Sequence, residues 1–272
     1  MTRRLYILNL GWMETDEVWI LGAPSASRAS RPGCTSWIKV PNLAFLIEDP
    51  TLGWVLFDSG SHPEAMDGHW PRALREISPL QRTPEQSLEH QLSLVGIGPE
   101  DVDLVVLSHL HMDHAGGLGT FAGLPAGDGV LLHRAELAHA LVQIHSSSSR
   151  RRGGYLGGDF DLPGIRFEPV DRDTTLTDGL RLMSLPGHTP GLLGVDIDLA
   201  ENGRVLCPSD AVYERRNLGP PVRRPGEVHD SLAYDRTIAR LQELDARSDT
   251  TLIFSHDQSQ AELLRYAPDC YE

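Results

Sequence analysis

An apolar run, Val102–Leu107, broken only by Asp103, leads directly into Ser108-His109-Leu110-His111-Met112-Asp113-His114-Ala115-Gly116-Gly117. The run has the pattern of a strand buried on both faces, which demands layers of structure above and below it. Three imidazoles and a carboxylate then occupy four of the six positions from 109 to 114. A loop leaving a strand end can splay neighbouring side chains in different directions, and imidazole with carboxylate is a donor set suited to zinc. Four donors in so short a span can serve two ions but cannot complete two coordination shells. Further His or Asp residues are therefore expected at the ends of later strands.

Three such residues follow. His188 stands after the strand-like segment Leu180–Leu185, within Pro186-Gly187-His188-Thr189-Pro190-Gly191. Asp210 follows Arg204–Cys207, and His256 follows Thr251–Phe254. Each sits where a strand would deliver it to one edge of a sheet.

The remaining pattern fits an α/β chain. Leu5–Leu8, Leu43–Ile47 and Trp54–Phe57 predict early strands, the last two separated by a turn at Pro50 and Gly53. Thr83-Pro84-Glu85-Gln86 predicts a capped helix start, with Leu88, Gln91, Leu92 and Val95 at helical spacing up to Gly96. Val130–Leu132 predicts a strand and Ala135–Ile144 a helix. Arg166–Val170 and Leu192–Ile197 predict further strands, the latter turning through Glu201-Asn202-Gly203 into Arg204–Cys207. A helix is expected from about Ser231 to Leu244. Strands come in two batches, each followed by helices, and no linker is long enough to divide the chain. The expectation is one domain over 1–272, a four-layer αββα sandwich of two mixed sheets with helices outside. Ser146–Gly158, rich in Ser, Arg and Gly, predicts an irregular surface loop or a lid over substrate.

Composition removes other classes. The longest uninterrupted apolar stretch, Leu43–Ile47, is far shorter than the about 20 residues of a membrane-crossing helix. Arg3-Arg4 is not followed by an export signal core, because Glu14, Asp16 and Glu17 interrupt it. Cys34, Cys207 and Cys270 form neither a close pair nor a zinc knuckle, which points to a reducing cytoplasm. A formal net charge of −14 disfavours a nucleic-acid partner.

His-x-His-x-Asp-His, the later Gly-His, the later Asp and the final His together resemble the metallo-β-lactamase superfamily. The resemblance implies that His109, His111 and His188 hold one metal, that Asp113, His114 and His256 hold the second, and that Asp210 bridges both. It implies two Zn²⁺ per chain, a role for Asp58 in Phe57-Asp58-Ser59-Gly60 in supporting the metal ligands from behind, and a homodimer.

Asp210-Ala211-Val212-Tyr213 is similar to the N-acyl-homoserine lactonase branch, as are Leu5-Tyr6-Ile7-Leu8, Asp58-Ser59-Gly60 and Ile253-Phe254-Ser255-His256-Asp257. This resemblance implies a hydrolase opening a small-molecule lactone through metal-activated hydroxide, with Tyr213 on the carbonyl oxygen and Asp113 passing a proton to the departing alkoxide. Met112 would either touch substrate or pack beside the metal loop, and Trp12, Met13 and Trp19 are candidates for an acyl pocket. The chain departs from that branch at Leu192-Leu193, where His-Gln is common, and at Ser255, where Gly is common; neither change removes a ligand. Hydrolysis of another small lactone, ester or glyoxalase-type thioester uses the same centre. A di-iron redox protein is the non-hydrolytic alternative, opposed by His rather than Glu at position 111.

Overall fold

The computed structural model describes residues 2–22, 36–146 and 153–272. Its first sheet contains β1 (Arg4–Asp16), β2 (Trp37–Asp49), β3 (Gly53–Phe57), β4 (Leu80–Gln81), β5 (Leu104–Val106), β6 (Asp128–His133) and β7 (Arg166–Val170), in the order β4-β1-β2-β3-β5-β6-β7. The second contains β8 (Thr174–Thr177), β9 (Leu180–Ser184), β10 (Leu193–Leu199), β11 (Gly203–Cys207) and β12 (Thr250–Leu252), in the order β12-β11-β10-β9-β8. Both are mixed: β3, β5, β6 and β7 run parallel, as do β11 and β12, and the other pairings are antiparallel.

Period-two alternation builds the layers. Leu5 and Ile7 of β1, Phe45 and Ile47 of β2, and Val55 and Phe57 of β3 face the second sheet, where Leu180, Leu182, Val195, Ile197, Val205 and Cys207 meet them. The intervening Tyr6, Leu8, Ala44, Leu46 and Leu56 face outward onto the helices Leu88–Leu94 and Arg134–His145. Across the molecule, Met183 and Leu206 pack on Tyr234, Ile238 and Leu241 of the helix Ser231–Asp245. The result is the expected four-layer αββα sandwich. Because β9 and β11 both run antiparallel to β10, while β12 runs parallel to β11, the ends of all three open on one edge. No helix among the described residues is long and apolar enough to cross a membrane.

Several boundaries differ from the sequence reading. The central strand is only Leu104–Val106: Val102 ends a 3₁₀ turn, and at Asp103 the backbone N–H still donates to the Trp54 carbonyl while the Trp54 N–H goes to the Asp103 carboxylate and not to a backbone carbonyl. The helix expected from Thr83 starts as a 3₁₀ turn, Pro84–Gln86, and restarts at Leu88 with Ser87 as a second cap. The first two strands are 13 residues each, continuing well past their apolar runs. Their register shifts between Asn9 and Trp12, where Gly11 takes φ +113°, so the bulge lets the ribbon bend and carry Met13 and Val40 toward the edge that holds the histidines. Of the loop expected over 146–158, residues 147–152 lie outside the described residues, as does Cys34. The remainder is less irregular than expected: Tyr155 is buried and Gly157–Phe160 forms a helical turn.

Candidate metal centre

The predicted residues converge on the edge where the strands end. Donor atoms of His109, His111, His188 and Asp210 gather into one group, and those of Asp113, His114 and His256 into a second, with every member buried. Asp210 faces both. Its Oδ2 lies 3.7 Å from His109 Nε2 and 3.5 Å from His188 Nε2, while its Oδ1 lies 3.2 Å from His114 Nε2 and 3.1 Å from His256 Nε2. The Asp113 carboxylate stands 3.7 and 3.6 Å from the same two nitrogens of the second group.

Most of the rings are oriented through their other nitrogen. Asp58, at the end of β3, accepts from the Ser108 backbone N–H at 2.7 Å and the Ser108 hydroxyl at 2.8 Å, and its Oδ2 is 2.8 Å from His114 Nδ1. Ser108 Oγ is in turn 2.9 Å from His109 Nδ1. His256 Nδ1 donates to the Pro41 carbonyl at 2.9 Å, and His188 Nδ1 is 3.2 Å from the Tyr213 hydroxyl. Asn42 donates to the Asp113 carbonyl at 2.7 Å, fixing the backbone of the cluster to β2. Asp58 sits at φ +65° and Ser209, which bonds Ser108 Oγ, at φ +50°. Non-glycine residues in this region carry local strain, which the surrounding hydrogen bonds sustain.

The donor set suits cations. His109 Nε2 and His114 Nε2 are fully buried with no hydrogen-bond partner among the described residues, and both face Asp210. Burial pushes His109 and His111 well below the usual imidazole range, and neighbouring imidazoles add to the effect. Burial acts the same way on His114 and His256, but the carboxylates of Asp210 and Asp113 outweigh it and hold both above that range. Positive charge between Asp210 and these rings is therefore strongly favoured, and divalent ions supply it better than protons do.

An apolar pocket opens over the centre. Met13, Ile20, Val40, Leu74, Ile77 and Met112 line it, together with Asp113, Asp210, Tyr213, His111, His188 and His256 of the centre. Of the three aromatic and sulfur residues expected near the start, Met13 and Trp19 line it and Trp12 does not. Tyr213 is buried, and burial with the nearby Asp210 charge pushes its hydroxyl well above the usual phenol range, so it stays protonated.

Residues 37–256 match the sequence profile of the metallo-beta-lactamase superfamily. The chain is 32% identical to the N-acyl homoserine lactonase AiiB of Agrobacterium fabrum over the whole of both chains. The chain belongs to the metallo-β-lactamase superfamily, in its N-acyl homoserine lactonase branch. It is also 28% identical to the N-acyl homoserine lactonase AiiA of Bacillus thuringiensis subsp. kurstaki, covering 98% of each. Among solved structures, it superposes with a TM-score of 0.81 and 24% identity on an N-acyl homoserine lactone hydrolase carrying the product N-hexanoyl-L-homoserine at its catalytic metal center, covering all of both chains. A quorum-quenching N-acyl homoserine lactone lactonase matches with a TM-score of 0.79 and 25% identity, over 100% of this chain and 99% of the other.

Sequence reasoning did not single out Asn42 or Ser209, and met Ser255 only as a departure from the common Gly; all three hold the donors in place. Ser255 Oγ donates to Asp210 Oδ1 at 3.0 Å. A lone serine or asparagine carries no pattern by which to recognise such a role. Asp58 was legible only through the resemblance. Asp58→Ala should leave the fold intact but weaken metal retention by about 10–100-fold, because His114 and, through Ser108, His109 lose their orienting partner. Chelator competition on the purified variant measures this, and unchanged retention would reduce Asp58 to a turn residue.

Proposed function

We propose that this enzyme hydrolyses the lactone ring of N-acyl homoserine lactones at a dinuclear zinc centre. The observation that carries the proposal is that one carboxylate, Asp210, turns separate oxygens to two imidazole groups at an apolar pocket that also contains Tyr213. The names of the full-length relatives support the substrate class.

In this reading His109, His111 and His188 hold one ion, Asp113, His114 and His256 the other, and Asp210 both. Bound there, two zinc ions supply Lewis acidity that activates water and polarises a carbonyl. The chain's own residues do the rest. If His188 Nε2 is a ligand, its Nδ1 carries the proton and donates to the Tyr213 oxygen, leaving the Tyr213 O–H free to donate to the lactone carbonyl as it gains negative charge. Asp113, lining the same pocket, is placed to take the proton that the attacking water gives up and return it to the ring oxygen as the C–O bond breaks. The apolar wall takes the acyl chain and excludes water around it, with Met112 contributed by the histidine loop itself.

The test combines metal analysis with pH-stat hydrolysis of short and long N-acyl homoserine lactones, γ-butyrolactone, a thioester and nitrocefin. About two zinc per chain with preference for acylated lactones is the expected result. Two metals with no lactone turnover would keep the centre and reject the substrate.

A further inference from the structure

His111 is held differently from the other four histidines. His109 and His114 are oriented by Ser108 and Asp58, His188 by Tyr213 and His256 by the Pro41 carbonyl. His111 turns Nδ1 toward His188 Nε2, at 3.1 Å, and no hydrogen bond to its Nε2 is found among the described residues. Packing takes the place of that bond. The His111 and Tyr155 rings meet edge to face, with centroids 4.6 Å apart and planes at 69°. Gly154 lies so close that a Cβ on it would come within 3.1 Å of His111 Cγ, and its carbonyl accepts the Met112 N–H at 2.9 Å.

Tyr155 is itself anchored by Glu136, near the start of the helix Arg134–His145. Glu136 is fully buried, and its Oε1 accepts both the Tyr155 hydroxyl, at 3.0 Å, and the backbone N–H of Leu110, at 3.1 Å. Leu110 is the residue between His109 and His111. Oε2 is buried with no hydrogen-bond partner among the described residues. A carboxylate so placed costs folding stability, and helix formation does not require one at this position. Ordinary packing would be served better by an apolar residue.

We infer that Glu136 is a positioning residue for the first metal group, fixing His111 through the Tyr155 clamp and the loop backbone through Leu110 N–H. The inference rests on the ligand assignment proposed above. It separates Glu136 from the second group, to which it makes no hydrogen bond.

The test is zinc retention under chelator competition, with cobalt(II) absorption as a second readout of ligand geometry, on folded protein verified by circular dichroism. Glu136→Ala should weaken one of the two zinc equivalents by about 10–100-fold and leave the other unchanged. Tyr155→Phe, which keeps the ring and loses only the hydroxyl, should weaken the same equivalent by about 10-fold, near the lower end of that range. Glu136→Gln, whose Oε1 can still accept both hydrogen bonds, should restore retention and the cobalt spectrum. Wild-type retention in Tyr155→Phe and in folded Glu136→Ala, or equal weakening of both equivalents, would overturn the inference. Should Glu136→Ala fail to fold, Tyr155→Phe decides alone. A wild-type protein that does not take up two equivalents would instead overturn the ligand assignment itself, before any variant is measured.

Discussion

Asp210→Asn is expected to lose one of two zinc ions and to lower lactone turnover by about 10³-fold. Asn has nearly the same shape, so the fold should survive; what changes is charge and donor chemistry. In the native chain Oδ1 accepts from Ser255 and faces His114 and His256, while Oδ2 faces His109 and His188. The Ser255 hydroxyl both donates and accepts, so either end of the Asn amide satisfies it, and whichever group the amide N–H bonds then face is left without the ligand oxygen it needs. The loss should therefore fall on one group and spare the other. Several kcal/mol of transition-state stabilisation by a metal corresponds to the stated fall in rate. Metal analysis after gel filtration and pH-stat kinetics read both quantities, and a variant retaining two zinc ions with full turnover would contradict the bridging assignment.

The sequence exposed these residues because their positions obey a rule of sheet geometry. Parallel strands, and strands two apart in an antiparallel sheet, deliver their ends to the same edge, so His109, His188, Asp210 and His256 can be placed together from strand patterns alone. The layers were legible for a similar reason: the continuous apolar runs Leu5–Leu8 and Leu43–Ile47 give the first sheet two apolar faces, and both must be covered. The walls of the pocket were not. Met13 and Val40 reach it only because the β1–β2 ribbon bends at the Gly11 bulge, beyond the apolar runs that announce those strands. Nor was the edge strand Thr174–Thr177 visible, since its partly exposed threonines make no apolar alternation. Glu136 escaped notice for another reason. An acidic residue in the first turn of a helix is ordinary on electrostatic grounds, and only the tertiary packing reveals that this one is buried against the histidine loop.

Tyr213→Phe should separate binding of metal from chemistry. The expected result is full zinc content with turnover reduced by about 10²–10³-fold, the cost of removing one preorganised donor from a developing oxyanion. Two features make the variant clean. The ring packs with Met13, Ile20, Val40 and Met112, contacts that Phe retains. Among the described residues the hydroxyl hydrogen-bonds His188 Nδ1 alone, so its loss leaves that nitrogen without an acceptor but takes no donor from the metal groups. Metal retention should therefore change far less than turnover. A fall in kcat at nearly constant KM is the signature of an interaction made in the transition state, whereas a rise in KM alone would mean that Tyr213 only helps to bind the lactone. Unchanged kinetics would make Tyr213 a packing residue whose hydroxyl serves His188, and would leave the carbonyl oxygen to the metal centre alone.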